Sequence, residues 1–417
     1  MCVRVDFREN SPRINFDVII LVLNCGSSSV KFQLVEIAAD ADKNSRKIAI
    51  GIVDRLGTDA IFKVKSGAEK NAQPVRIEAH NHDDAVRTII ERVGGAGQRI
   101  DAVGHRVVHG GAFFTEAVAI DDDVLAKLEE LNDLAPLHNP AAVAGIHAAR
   151  KALGVALPMA AVFDTAFHHT MPEIAATYAI PAELAEKHEI RRYGFHGMAH
   201  EYSLLRYAEL RGIAAGEANI VTMHLGNGSS ACAIRAGRSV DTSMGFTPLE
   251  GLVMGSRSGD VDPALVSYLA RKENVGADEV ERWLNQRSGL RGVSGLSNDM
   301  RELMAAYETN PRARLAVEVF CYRARKYLGA YLAVLAGADG VVFSGGIGEN
   351  TPPVREKICE GMEWCGLSLD KNKNASMIGA EGPISPVSAR IQAYVIPSDE
   401  EAIIARAAAR LFRRETS

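Results

Sequence analysis

The 417-residue sequence is short of several features that would assign it at once. Its six cysteines, Cys2, Cys25, Cys232, Cys321, Cys359 and Cys365, form no C-x-x-C pair and no disulfide-like framework. That usage predicts reduced thiols and a cytoplasmic protein. No apolar run approaches the ~18 residues needed to cross a bilayer, so no membrane attachment is expected. The opening stretch M-C-V-R-V-D-F-R-E-N-S-P-R is charged and lacks the apolar centre of a secretory signal. Net charge is −5, aromatic residues are 6%, and no basic stripe with interleaved aromatics occurs, which argues against a nucleic-acid partner. There is no G-x-x-x-x-G-K-[ST] element, so a P-loop is excluded. What is present, 47% hydrophobic and 24% charged residues, describes a soluble globular chain, and its length predicts two domains.

The run D-V-I-I-L-V-L is short and rich in β-branched residues, hence a buried strand. It stops at Asn24, and V-K-F-Q-L-V-E then alternates as a half-buried strand, with Cys25 to Ser28 as the hairpin loop. Such a loop is either an ordinary polar turn or a phosphate cradle. K-I-A-I-G-I-V predicts a third strand, D-D-A-V-R-T-I-I-E-R-V a helix, and A-V-G-H-R-V-V another strand. N-P-A-A-V-A-G-I-H-A-A-R-K-A-L-G predicts a helix with Asn139 as cap, Pro140 in its first turn and Gly154 at its end. P-M-A-A-V-F-D-T follows as a strand. The order then recurs. A-N-I-V-T-M-H-L-G-N-G-S-S-A-C-A-I is again strand, polar loop and strand, and Ser229 and Ser230 follow Asn227 much as Ser27 and Ser28 follow Asn24. Two such loops, each opening one half of the chain, predict a duplicated α/β fold with two facing polar hairpins. In G-V-V-F-S-G-G-I-G-E-N-T-P-P-V-R-E-K, the expectation is a strand, a loop of Gly345, Gly346 and Gly348, then a helix from Pro352 and Pro353. Glycines let a backbone approach a ligand, and a helix start favours anions. The last helix opens with three acids, Asp399 to Glu401, as suits a helix N-terminus.

Several polar side chains interrupt apolar segments. Arg106 lies in a strand and Arg257 in a small-residue loop. Each is either half of an ordinary salt bridge or a planar fork for carboxylate or phosphate. Asp164 ends a strand, where it either caps a helix or faces a ligand. His138, Phe195, His196 and His200 sit in P-L-H-N-P and R-Y-G-F-H-G-M-A-H. The pairs His105/His109 and His196/His200 are four apart. The first is in a β-like stretch and the second lacks the Glu of a metalloprotease helix, so neither reads as a zinc site. His80, His82 and His168 read as solvated or packing residues.

Taken together, L-N-C-G-S-S-S-V-K, G-H-R-V-V-H-G-G, P-L-H-N-P, F-D-T-A-F-H, R-R-Y-G-F-H-G, H-L-G-N-G-S-S, G-F-T-P-L-E-G-L-V-M-G-S-R-S-G-D, S-N-D-M-R and G-G-I-G-E-N resemble the acetate kinase family, in that family's order, from about residue 18 onward. The resemblance implies a two-domain, duplicated ribonuclease H-like α/β fold of the actin, Hsp70 and sugar kinase type. It implies an appendage at 1–16, a first domain at 17–165 completed by a helix at 402–417, and a nucleotide-binding domain at 166–401. It also implies a cytoplasmic homodimer that uses ATP with Mg2+, for which Mn2+ can stand in, to phosphorylate acetate to acetyl phosphate. Carried over by position, Asn24 and Glu400 would hold the metal, and Ser27, Ser29 and Lys31 would lie near the phosphates. Arg106 and Arg257 would bind the substrate carboxylate or acyl phosphate. Asp164 is the essential acid, orienting the carboxylate or a protein donor. His196, supported by His138, would stabilise the phosphoryl in transfer. His224, Leu225, Gly226, Asn227 and Gly228, with Asp299, Met300, Arg301 and Gly346, Ile347, Gly348, Glu349 and Asn350, would hold the nucleotide. Val108, Leu137, Phe195 and Pro248 would line the acyl pocket. The chain departs from the family pattern at Cys25 (usually Ala), Ser256 (usually Thr) and Ser398-Asp399 (usually Thr-Asn). A propionate or butyrate kinase is the alternative within the class. An actin- or Hsp70-type ATPase is the alternative outside it, although such a protein would not need Arg106, Arg257 and His196 together.

Overall fold

A computed structural model describes residues 17–38, 45–66, 73–94, 99–136 and 138–413. The proposed appendage at 1–16 and Leu137 lie outside them. The chain separates into two compact units, one running up to Ala166 and resuming at Asp399, the other spanning Phe167–Ser398.

The first unit is built on eight strands: β1 (Val18–Cys25), β2 (Ser29–Ile37), β3 (Ser45–Asp54), β4 (Ile61–Ser66), β5 (Val75–Arg76), β6 (Ala102–Val107), β7 (Val118–Ala119) and β8 (Met159–Phe163). They lie in the order β5-β4-β3-β2-β1-β6-β8-β7. The first four in sequence form an antiparallel meander, whereas β6 and β8 run parallel to β1. Side chains alternate across the sheet. Leu21, Leu23 and Cys25 pack toward the helices His82–Gly94 and Asn139–Leu153, and the other face receives the helix Glu400–Phe412. Gly104 of β6 makes that second contact close: a Cβ there would sit 2.6 Å from Cγ2 of Ile404. Cys25 has a similar complement, because a Cβ on Gly145 would lie 2.3 Å from its sulfur. Burial pushes the Cys25 thiol up to about 12 and leaves it unreactive.

The second unit repeats the scheme with β9 (Ile220–Leu225), β10 (Ser229–Arg235), β11 (Arg238–Thr242), β12 (Gly340–Ser344), β13 (Gly382–Pro383) and β14 (Gln392–Val395), ordered β11-β10-β9-β12-β14-β13. Again the first hairpin is antiparallel and two later strands run parallel to its first strand. The five-strand kernel β3-β2-β1-β6-β8 thus recurs as β11-β10-β9-β12-β14. Val221, Met223, Val341 and Phe343 face the long helix Pro311–Val334, while Ile220 and Val342 face Leu204 and Tyr207 of the helix Gly197–Arg211. The duplicated α/β fold read from the sequence is therefore present.

Two local expectations need correction. Asn139 does not cap its helix. The helix begins at Asn139 with His138 as N-cap, and the buried Asn139 amide instead clamps the turn after β6. It accepts from the His109 N–H (3.1 Å) and donates to the carbonyls of His109 (3.0 Å) and Leu131 (3.3 Å). The Gly345–Gly348 stretch is not a loop either. It is a short helix, Gly345–Asn350, placed before the expected Pro352–Cys359 helix. Gly345 enters it at φ 74°, where a Cβ would come within 2.6 Å of the Leu225 carbonyl oxygen.

Filling the Gly104 contact should loosen the last helix. Gly104→Val is expected to lower unfolding free energy by about 1–3 kcal/mol, the usual cost of overpacking, read as a lower urea midpoint. An unchanged midpoint would mean that the helix does not depend on this close approach.

Candidate active site

In the first unit the functional candidates gather at the ends of β1, β6 and β8. Arg106, one residue before the end of β6, is locked by two carboxylate oxygens: Nε to Asp164 Oδ1 at 3.0 Å and Nη2 to Oδ2 at 2.5 Å. Its Nη1 donates to Asn24 Oδ1 at 3.2 Å. A guanidinium has five N–H groups. These bonds use three, leaving one on each terminal nitrogen for a further oxygen. Burial opposes the charge on Arg106, but Asp164, with Glu400 and Glu401 behind it, holds it above its ordinary range. Asp164 itself is 1% exposed and holds the guanidinium with both carboxylate oxygens.

The acids at the start of the last helix stand nearby. Burial raises the Glu400 carboxyl, Arg106 and Lys31 pull it back, and Asp164 and Asp399 push it further up. Burial and Glu400 likewise raise Glu401. Asp399 pairs with Lys47 Nζ at 2.6 Å, and Glu401 accepts from Gln33 Nε2 at 3.3 Å. The second oxygen of Asp399 is buried without a hydrogen bond. Among the described residues no group of three or more His, Cys, Asp or Glu forms a ready metal cage. The set available around Asn24 and Glu400 consists of an amide oxygen and crowded carboxylates, a hard-oxygen chemistry that suits Mg2+. Ser27 and Lys31 are exposed and Ser29 is half-buried on the β1–β2 hairpin. His82, read from the sequence as solvated or packing, braces that hairpin by donating from Nε2 to the Gly26 carbonyl at 2.9 Å. His138 and Val108 are half-buried beside the turn clamped by Asn139.

In the second unit the β9–β10 hairpin is the meeting point. A Cβ on Gly228 would sit 3.3 Å from His196 Nε2 and 3.6 Å from Arg257 Nη1, so that glycine leaves room beside both groups. Arg257 also donates to the Pro248 carbonyl at 3.1 Å. His196 adopts a left-handed backbone (φ 55°) at the start of the helix Gly197–Arg211, and its ring centre lies 4.8 Å from that of His224. His224 Nδ1 pairs with Ser344 Oγ at 3.3 Å. Phe195 is fully buried, and His168 Nε2 donates to its carbonyl at 3.0 Å. Asn298 joins the hairpin by donating to Asn227 Oδ1 at 2.9 Å. Asp299 and Arg301 pair with each other at 2.5 Å. The side chains of Leu225, Met300 and Ile347 belong to the core, so any ligand contact they make is through backbone.

Sequence reasoning passed over Arg355. It is fully buried with no carboxylate beside it among the described residues, and burial lowers it to about 10. It donates to Asn374 Oδ1 (2.8 Å) and to the carbonyls of Gly348 (2.7 Å), Glu349 (3.2 Å), Asn374 (2.9 Å) and Met377 (2.7 Å), fixing the short glycine helix from behind. Its position in P-P-V-R-E-K looks like a surface helix, and no sequence signal marks it. Arg355→Met should cost about 2–4 kcal/mol, because several buried acceptors lose their donor at once. Urea unfolding measures this, and wild-type stability would refute the bracing role.

Comparisons with known proteins bear on this arrangement. The model of the acetokinase family matches residues 19–406. An acetate kinase of Solibacter usitatus is 50% identical over 401 residues, covering 93% of this chain and 96% of that protein. One from Chloroherpeton thalassium is 48% identical over 405 residues, covering 93% and 97%. Among solved structures, Porphyromonas gingivalis acetate kinase is similar with a TM-score of 0.88 at 41% identity, covering 95% of this chain and all of that one. A propionate kinase from Francisella tularensis gives 0.86 at 39% identity, covering 94% and 98%. With a family match over nearly its whole length, the chain belongs to the acetokinase family.

Proposed function

We propose that this protein reversibly transfers the γ-phosphoryl group of ATP to acetate, giving acetyl phosphate and ADP by direct in-line displacement. Family membership supports the kinase class and a carboxylate acceptor. The observation that carries the reading is Arg106, pinned by Asp164 and Asn24 with two N–H groups left over. A guanidinium immobilised in this way is preorganised to receive a carboxylate or acyl phosphate.

The chemistry asks little of a base. Acetate is already a nucleophile, and the obstacle is repulsion between it and the anionic end of ATP. Positioning and charge stabilisation are what phosphoryl transfer requires. In the first unit, Arg106 binds the acceptor, Ser27, Ser29 and Lys31 attend the phosphates, and Val108 with Leu137 lines the acyl group. In the second, Arg257 and His196 are assigned to stabilising the phosphoryl in transfer, and Phe195 and Pro248 to the acyl group. The segments His224–Gly228, 299–301 and 346–350 hold the nucleotide. Asn24 and Glu400 would hold Mg2+, with Mn2+ able to substitute. The ion would supply further neutralisation of phosphate charge. The setting is the cytoplasm, consistent with five buried cysteine thiols.

Propionate is the competing substrate, given the similar propionate kinase structure. One methylene shifts preference by only about 10–200-fold, so propionate is expected as a slower substrate. Trapping the acyl phosphate with hydroxylamine, using Mg-ATP and acetate, propionate or butyrate, tests this reading; absence of acetyl hydroxamate would overturn it. Arg106→Ala and Arg257→Ala should each reduce kcat by roughly 10²–10⁴-fold, and wild-type turnover in either would remove that residue from the mechanism. We also propose a homodimer, supported by apolar side chains left exposed on two helices: Leu265 and Tyr268, and Leu315 and Tyr322. Sedimentation of the wild type should give twice the chain mass, and a monomer at micromolar concentration would exclude it.

A further inference from the structure

Three residues behind His196 form a continuous buried chain that the reading above does not use. Ser230 Oγ lies 2.9 Å from His196 Nδ1 and 2.8 Å from His200 Nε2. His200 Nδ1 lies 2.7 Å from Thr222 Oγ1. Ser230, His200 and Thr222 are each 0% exposed, so bulk solvent does not reach them. The fold places them deliberately close. Thr222 and Ser230 stand on the paired strands β9 and β10, and His200 projects from the second turn of the helix Gly197–Arg211, which packs on β9.

Proton counting gives this chain a direction. Burial and the neighbouring His168 and His224 keep His200 neutral, so it carries one N–H. The Thr222 hydroxyl must place its proton on an acceptor, and the acceptor in reach is His200 Nδ1. The His200 proton is therefore on Nε2 and is given to Ser230 Oγ. Ser230 then has its own proton to give, and its remaining neighbour is His196 Nδ1. In the opposite sense the Thr222 hydroxyl proton would be buried without an acceptor, a cost of about 1–3 kcal/mol.

We propose that Thr222, His200 and Ser230 are positioning residues that fix the tautomer of His196, keeping Nδ1 as an acceptor and the ring proton on Nε2. Nε2 is the nitrogen that faces Gly228 on the hairpin. His196 is thereby held as a neutral donor, able to hydrogen-bond a phosphoryl oxygen without first rearranging its proton. Catalytic imidazoles depend heavily on an enforced tautomer. The inference deepens the reading above, since only there does His196 meet a phosphoryl group, but the tautomer itself is a property of the resting protein.

Nitrogen-15 NMR of the full chain labelled at histidine, with the His196 signals assigned by their loss in His196→Gln, tests it directly. Wild type should show a pyridine-like Nδ1 and a pyrrole-like Nε2 at His196. A proton on Nδ1, or an even mixture, would overturn the proposal without touching the assigned activity. His200→Gln can still accept from Thr222 and donate to Ser230, and should keep the wild-type signature. His200→Met frees the Ser230 hydroxyl to turn, and should give mixed tautomers with kcat reduced about 10-fold or more and KM for ATP and acetate little changed. If His200→Met does not fold, Ser230→Ala removes the donor to Nδ1 and should give the same mixture. An unaltered Nε2–H signature in a folded Ser230→Ala protein would equally refute the chain. Failure of the hydroxamate assay with a correct tautomer would instead count against the function alone.

Discussion

A cation at the end of a buried parallel strand has to be held by something, and in the first unit Asp164 does this for Arg106. The pairing has consequences on both sides. It consumes the edge of the guanidinium that points back into the sheet and leaves the outer hydrogens free. It also places a second negative charge near Glu400, whose carboxyl is already driven up by burial. Asp164, Glu400 and Glu401 all act on Arg106, while Asp399 crowds Glu400. Lys31 pulls the Glu400 carboxyl back down and Lys47 pairs with Asp399, so the acids are offset from more than one side.

How much of this was legible in sequence depends on how far each feature reaches along the chain. Asn24 at the end of a β-branched run, and the recurrence of its loop at Asn227, are local patterns and gave the duplicated fold directly. Arg106 and Asp164 stood out because a charge in an apolar strand is visible locally. Their partnership was not visible, because it joins residues 58 positions apart through strand register. Asn139 was misread for a related reason. Asn before Pro is a good helix cap by local rules, but here the amide is drawn away to satisfy the backbone of a turn 30 residues earlier. Arg355 left no local trace, since its acceptors are main-chain carbonyls and the side-chain amide of Asn374, 19 residues on. His82 and His168 looked incidental because their partners lie in distant segments: the Gly26 carbonyl for His82, the Phe195 carbonyl and the Ser239 hydroxyl for His168.

Glycine placement followed another rule. Gly345, Gly228 and Gly104 are small because a carbonyl, a histidine and a helix come close to them, respectively. Only the first also needs its unusual backbone. The expectation that a glycine cluster means a loop failed at 345–350 because tight packing against Leu225 and a buried arginine can hold even this sequence in a helical turn.

The two kernels share topology but have diverged in charge. At the end of β6, Arg106 bonds to Asn24 of the adjacent β1. At the matching end of β12, Ser344 bonds instead to His224 of the adjacent β9. The first copy thus fills its strand ends with a guanidinium and carboxylates. The second uses hydroxyls and imidazoles in hydrogen-bonded series. Burying polar groups in either manner demands complete pairing. The first copy approaches it through the bidentate Arg106–Asp164 pair, although one Asp399 oxygen stays without a hydrogen bond, and the second through a directed chain. Duplicated scaffolds can therefore diverge in chemistry without changing a strand: one copy presents a pinned guanidinium at its strand ends, the other a chain of hydroxyls and imidazoles beside a glycine hairpin.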